Sequence, residues 1–180
     1  MGLQIEDGKG SGNNVEVNSD KQLVVLAITK NELKFVSQNK GLAFSWASGT
    51  YDPDAGDTIL LVKNTSATKE LHIKSITLSC DTETRAVVHL PTTDVTVTGT
   101  TITGTNLNAA SSNVAEASAA KDETGNSQGN IVWSGEIQAG TNPFVIQFDG
   151  SLILGTNDSV GVDYVSASTA ADVTILGYYI

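Results

Sequence analysis

Apolar and polar residues alternate with a period of two through most of this chain, the repeat of a β-strand with one face buried. Leu33/Phe35, Leu42/Phe44/Trp46, Ala86/Val88/Leu90, Ile131/Trp133/Ile137, Phe144/Ile146/Phe148, Leu152/Leu154 and Val160/Val162/Tyr164 each predict a strand. Residues 23–29 are apolar at both parities, as expected of a strand covered on both sides. The apolar run at residues 59–62 follows a turn around Pro53 and Gly56. In residues 71–80, Leu71 and Ile73 share one parity while Ile76, Leu78 and Cys80 share the other. That change predicts a bulge, or a strand bending between sheets, near Ser75.

Val95-Thr96-Val97-Thr98 continues the β-branched pattern toward Ile102. Residues 105–130 break the rhythm with Ala, Ser and Asn and predict a long surface loop, with a short helix around 114–120 as the one alternative. Asp149-Gly150 between apolar runs is the strongest hairpin signal in the chain. The final segment, residues 172–180, stays apolar on both faces to the last residue. Chain ends fray unless tied down, so this pattern predicts a central strand. Short strands with turn signals at this spacing define an all-β fold, an antiparallel β-sandwich that is jelly-roll-like.

The first residues differ from the rest. Residues 1–21 are rich in Gly, Asn, Ser and Asp, with Leu3, Ile5, Val15 and Val17 as isolated apolar positions. Leu3/Ile5 and Val15/Val17 each alternate, so the segment predicts an extended N-terminal arm that lays one face on a partner; a free tail is the other reading. The division is an arm at 1–21 and a β-sandwich domain at 22–180.

Length and charge narrow the task. A chain of 180 residues suits one domain with its own core. A net charge of −10, with scattered Lys and Arg, argues against nucleic acid as a partner. The single cysteine, Cys80, rules out an internal disulfide, and its place in a strand pattern predicts a packed thiol. No secretory signal and no membrane-spanning run is expected. Glu6 stands where a myristoylation signal needs Ser or Thr. An aromatic fraction of 6% and a charged fraction of 17% resemble β-rich extracellular or particle-forming proteins more than metabolic enzymes.

Candidate chemistry is sparse. Asp52, Asp54 and Asp57 share a turn and could offer oxygens to a hard cation, but the spacing lacks the further ligands of a calcium loop, and an acidic turn is preferred. His72 and His89 lie in separate strands with no third ligand nominated, and they are read as strand histidines near a surface. No nucleophile signature such as G-x-S-x-G is present, and Gly8, Gly10 and Gly12 precede no helix that would cradle a phosphate. Asn64-Thr65-Ser66 and Asn157-Asp158-Ser159 match the glycosylation pattern by chance in this reading. Trp46, Trp133, Tyr51, Tyr164, Tyr178 and Tyr179 could form a sugar-stacking platform, yet their strand positions favour core or subunit-interface packing. No catalytic, cofactor-binding or metal-binding residue is assigned; the expected assembly interface is Leu3, Ile5, Val15 and Val17 with Tyr178 and Tyr179.

Two stretches carry a resemblance. Residues 5–13 (IEDGKGSGN) with 15–23 (VEVNSDKQL), and residues 51–64 with Asn106-Leu107-Asn108 and Ile175-Leu176-Gly177-Tyr178, resemble small tailed-bacteriophage virion structural proteins. The resemblance implies a head-decoration or fibre component, located in the virion and assembled in the host cytoplasm. The apolar C-terminal strand also looks like the last strand of trimeric jelly rolls of the tumour-necrosis-factor and complement-head type, in pattern only. The expectation is a non-enzymatic protein without cofactors that forms a homo-oligomer, expected to be a trimer, and binds the major capsid or other virion proteins through its arm. It would contact neither nucleic acid nor membrane. The alternative is a carbohydrate- or receptor-binding module of a tail or fibre, with residues 105–130 holding the ligand.

Overall fold

Two antiparallel sheets face each other across an apolar layer in the computed structural model, which describes residues 31–54, 56–124, 129–140 and 143–180. The expected arm and the apolar run at 23–29 lie outside the described residues. The unit Glu32–Ile180 begins with a short helix, α1 (Glu32–Phe35), continued by a π-helical turn, Val36–Lys40. Gly41, at φ +62, ends that turn and donates its N–H to the Ser37 carbonyl at 3.1 Å. This corrects the strand expected at Leu33/Phe35. Leu33 and Val36 are three apart, so a helical turn places them together against Ala43 and Tyr178, while Phe35 stays 42% exposed.

The remaining elements, in chain order, are β1 (Ala43–Ala47), β2 (Thr58–Asn64), β3 (Leu71–Cys80), β4 (Thr84–Leu90), β5 (Thr100–Ile102), β6 (Thr105–Asn106), β7 (Ala117–Glu123), β8 (Asn130–Ile137), β9 (Phe144–Leu154), β10 (Ser159–Tyr164) and β11 (Ala171–Tyr179). One sheet has the order β6-β1-β11-β3-β9 and the other β5-β7-β2-β10-β4-β8. Alternate residues point inward: Phe44, Trp46, Ile76, Val173 and Ile175 from the first sheet meet Leu60, Val62, Val88 and Val162 from the second, all fully buried. Each such side chain contributes about 1.5–3 kcal/mol by leaving water.

The C-terminal strand is central, as the sequence predicts: β11 lies between β1 and β3. Its second face is apolar at the end because Tyr178 sits under the helical turn with Val36. The parity change in β3 is also present. Pairing of β3 with β9 shifts between Ile73 and Ser75, and pairing of β3 with β11 shifts between Leu176 and Gly177. The extra residue rotates the inward parity without breaking the strand.

Three local expectations change. Asp149-Gly150 is not a hairpin but a kink inside the continuous strand β9, with φ +52 and +85. The positive-φ geometry that a tight turn requires also suits a bulge, and this one lies opposite the β3 irregularity, where Lys74 pairs with Asp149. Residues 95–98 are not a strand, because side chains take their backbone groups: Lys63 Nζ donates to Val95 O at 2.9 Å, and Glu123 accepts from the Thr98 and Gly99 N–H groups at 2.6 and 2.7 Å. Residues 105–130 are neither one long loop nor a helix. They hold β6 and β7, and Ala119 and Ala120 are small enough for β7 to pack closely as the outer neighbour of β2. Strand pairing there overrides the helical preference of an alanine-rich segment.

Candidate assembly surface

Edge strands are where a sandwich exposes unpaired backbone. β8 ends one sheet and β9 ends the other, and both lie on the same side of the sandwich, joined by Trp133 and Phe144 with ring centroids 5.4 Å apart. Five of the ten exposed large apolar side chains among the described residues belong to these two strands: Ile131, Val132, Phe144, Val145 and Ile153. Ile131 and Phe144 are 59% and 43% exposed. No charged residue occurs from Asn130 to Gly135 in β8 or from Phe144 to Phe148 in β9. Natural edge strands are commonly guarded by charge, Pro or a bulge; here Glu136 near the end of β8, Pro143 just before β9 and the Asp149-Gly150 bulge within it lie outside these stretches and leave them bare. The sequence did hold a signal, since Ile131-Val132-Trp133 and Phe144-Val145-Ile146 are consecutive apolar triplets that break the alternation. Alternation alone had assigned only every second member a role.

Tyr178 and Tyr179, singled out from the sequence, fall elsewhere. Tyr178 and Tyr179 are buried at 1% exposure within this chain, so their burial is met without a second copy and neither ring offers surface to one. Tyr178 stacks on His72 at 5.4 Å and donates its hydroxyl to Glu32 at 2.9 Å; burial, with the Glu32 carboxylate adding to it, pushes its phenol up to about 12. The Tyr179 hydroxyl is buried with no hydrogen-bond partner among the described residues. Leu3, Ile5, Val15 and Val17 lie outside the described residues.

His72 is half-buried, with Nδ1 at 3.1 Å from the Gly150 carbonyl. His89 is not near a surface. It is fully buried, with Nε2 at 3.1 Å from the equally buried Asp163 Oδ1, and Gly161 is packed so tightly there that a Cβ would lie 2.5 Å from Nε2. The pair joins β4 to β10 from inside the sandwich.

Asp52, Asp54 and Asp57 stay on their turn, where the Asp57 N–H donates to Asp54 O at 3.3 Å. Partial desolvation, then the Asp54, Asp122 and Asp163 carboxylates, raise the Asp57 carboxyl. No group of three or more possible metal-ligating side chains converges among the described residues. Cys80 ends β3, buried, and burial pushes its thiol up, away from the thiolate a nucleophile needs. Asn64 is fully buried, with Nδ2 donating to Lys69 O and Leu154 O at 2.9 Å, which closes it to a glycan.

Of the candidate stacking rings, Trp46 and Tyr164 are in the core. The insert between β4 and β8 lines a cleft of about 280 Å³ with Thr101, Gly104, Asn113 and Ala115, and no aromatic ring borders it. No helix among the described residues is long and apolar enough to cross a membrane. No family model matches the chain, and no curated protein or solved structure matches it either.

Proposed function

We propose that this chain is a non-enzymatic structural component of a virion, a capsid-decoration or head-fibre protein that self-assembles and attaches to the particle through residues 1–21. The observation that carries the assembly reading is the pair of exposed apolar stretches at residues 130–135 and 144–148 of the edge strands β8 and β9. The virion reading rests on the sequence resemblance. The partners are further copies of the chain, with a trimer as the expected closure, and the major capsid or other virion proteins.

The strand order supports a jelly roll as the finer description of the sandwich. Omitting the insert strands β5–β7, the orders β1-β11-β3-β9 and β2-β10-β4-β8 interleave the first and last halves of the chain, and each step from β1 to β4 and from β8 to β11 changes sheet. That interleaving is what two nested Greek keys produce. A body of this kind, with a separate arm for attachment, suits an outer virion component.

Light scattering of the purified protein, with and without residues 1–20, tests the reading. The expected result is a mass several times the 18.7 kDa of one chain in both forms, with loss of co-sedimentation with particles only in the shortened one. A monomer in both forms at high concentration overturns the self-assembly, and retained attachment overturns the role of the arm. Binding of the monomer to a glycan array would favour the receptor-binding alternative.

A further inference from the structure

The outer face of the first sheet should be its most polar surface, because an antiparallel sheet with one face on the core turns the other to water. In an acidic chain that face would carry charge; its two middle rows do not. The pairing registers align Ser45, Leu176, Ser75 and Gln147 in one row across β1, β11, β3 and β9. They align Ala47, Thr174, Thr77 and Val145 in the next. None of these residues belongs to the apolar core cluster; Ala47, Val145 and Gln147 are exposed, Ser45, Thr77, Thr174 and Leu176 are half-buried, and Ser75 is buried. Among the described residues charge borders these two rows, as the Lys74–Asp149 pair at the bulge, Glu32 beyond it at Tyr178, and Asp172 toward the other end. A neutral centre with a polar rim is the anatomy of a protein contact.

We infer that this neutral face receives the β8–β9 edge of a second copy of the chain, in a head-to-tail contact that closes into a ring. The inference rests on the self-assembly reading and names the surface that the exposed edge covers. Three features select this occupant. First, each copy carries a net charge of −10, so copies repel least where both surfaces are neutral, and neither the two middle rows of the face nor residues 130–135 and 144–148 of the edge carry a charged side chain. Second, the dimensions match: the edge of a two-sheet sandwich is about 10 Å across, and a face four strands wide spans roughly 15–20 Å. Third, face and edge are distinct surfaces that meet only along β9, so one copy can offer its edge while its face accepts the next, the condition for a heterologous ring.

The test uses the full-length chain and light scattering at several concentrations. Thr174→Lys puts a charge in the middle of the face, and Val132→Glu puts the opposite charge on the edge; circular dichroism and thermal melting verify that each variant folds. Ala47→Lys, at an exposed position of β1 beside Thr174, is the second face variant should Thr174→Lys fail to fold. Each single change should weaken association at least tenfold, shifting the mass toward that of one chain. Combining Thr174→Lys with Val132→Glu in one chain should restore the oligomer, because head-to-tail contact brings the introduced lysine to the introduced glutamate. Single variants that assemble like the wild type overturn the proposed contact while leaving self-assembly standing. A double variant that stays dissociated overturns the head-to-tail arrangement, since in a face-to-face pair lysine would meet lysine. A monomeric wild type overturns the assembly reading itself.

Discussion

Asp81 shows how much of this molecule's polar chemistry serves its loops. It follows β3, and its carboxylate accepts from Ser168 Oγ at 2.7 Å, from the Ala170 N–H at 3.0 Å and from Thr169 Oγ1. Those donors, the Thr169 and Ser168 hydroxyls foremost, hold the carboxyl well below the usual carboxylate range. A depressed folded-state value means the contribution is present above the ordinary aspartate value and is lost as pH falls toward the folded one. Stability measured by urea unfolding should therefore drop below about pH 4, and Asp81→Asn should flatten that part of the profile while lowering stability at pH 7. An unchanged profile in the variant would assign the acid sensitivity to another carboxylate. Glu123 likewise accepts the Thr98 and Gly99 N–H groups of the insert, and Glu116 accepts from Lys69 and Ser66, which hold its carboxyl low; the buried His89–Asp163 contact is the core counterpart in geometry. The aspartates that drew attention in the sequence, Asp52, Asp54 and Asp57, have no comparable set of donors among the described residues. The sequence gives no way to rank one acid above another, because the donors to Asp81 come from almost ninety positions later in the chain.

At the scale of the element, β9 is the most informative strand. Its kink puts Gly150 at φ +85 beneath the Tyr178 ring, and a Cβ there would lie 2.2 Å from the Tyr178 hydroxyl oxygen. Gly140 has a similar φ of +60 with open space around it. Gly150→Ala should cost roughly 1–3 kcal/mol for the backbone strain, plus the displacement of Tyr178, whereas Gly140→Ala should cost only the strain. Equal losses in chemical denaturation would mean that Tyr178 moves aside freely. The kink also explains why the hairpin reading of Asp149-Gly150 failed: local chemistry specifies a positive φ, and only the partner strand decides whether the chain reverses there or bulges. The strand expected at Leu33/Phe35 failed for a related reason. Two apolar positions fit either period, and the surface waiting at Ala43 and Tyr178 selected the helical one. Cooperation of distant segments, absent from any short window, settled both cases.

For the molecule as a whole, assembly and stability are linked. If copies associate in the folded state alone, the melting temperature rises with protein concentration, and Val132→Glu should abolish that rise while leaving the dilute-limit value within a degree or two. A melting temperature independent of concentration in the wild type would count against association. The all-β class, the central C-terminal strand, the change of parity near Ser75 and the buried thiol of Cys80 were all legible in the sequence, because each follows from a two-residue period or from the cost of leaving apolar side chains wet. The sequence also held the apolar triplets of β8 and β9, but not that they flank one open side of the sandwich. Sheet order, the joining of insert strands β6 and β7 to opposite sheets, and the neutral outer face arise from registers between residues far apart. Alternation determines that a residue faces one way or the other; only pairing across strands determines which neighbours stand beside it, and hence whether a row of unremarkable Ser, Thr and Leu side chains becomes a surface.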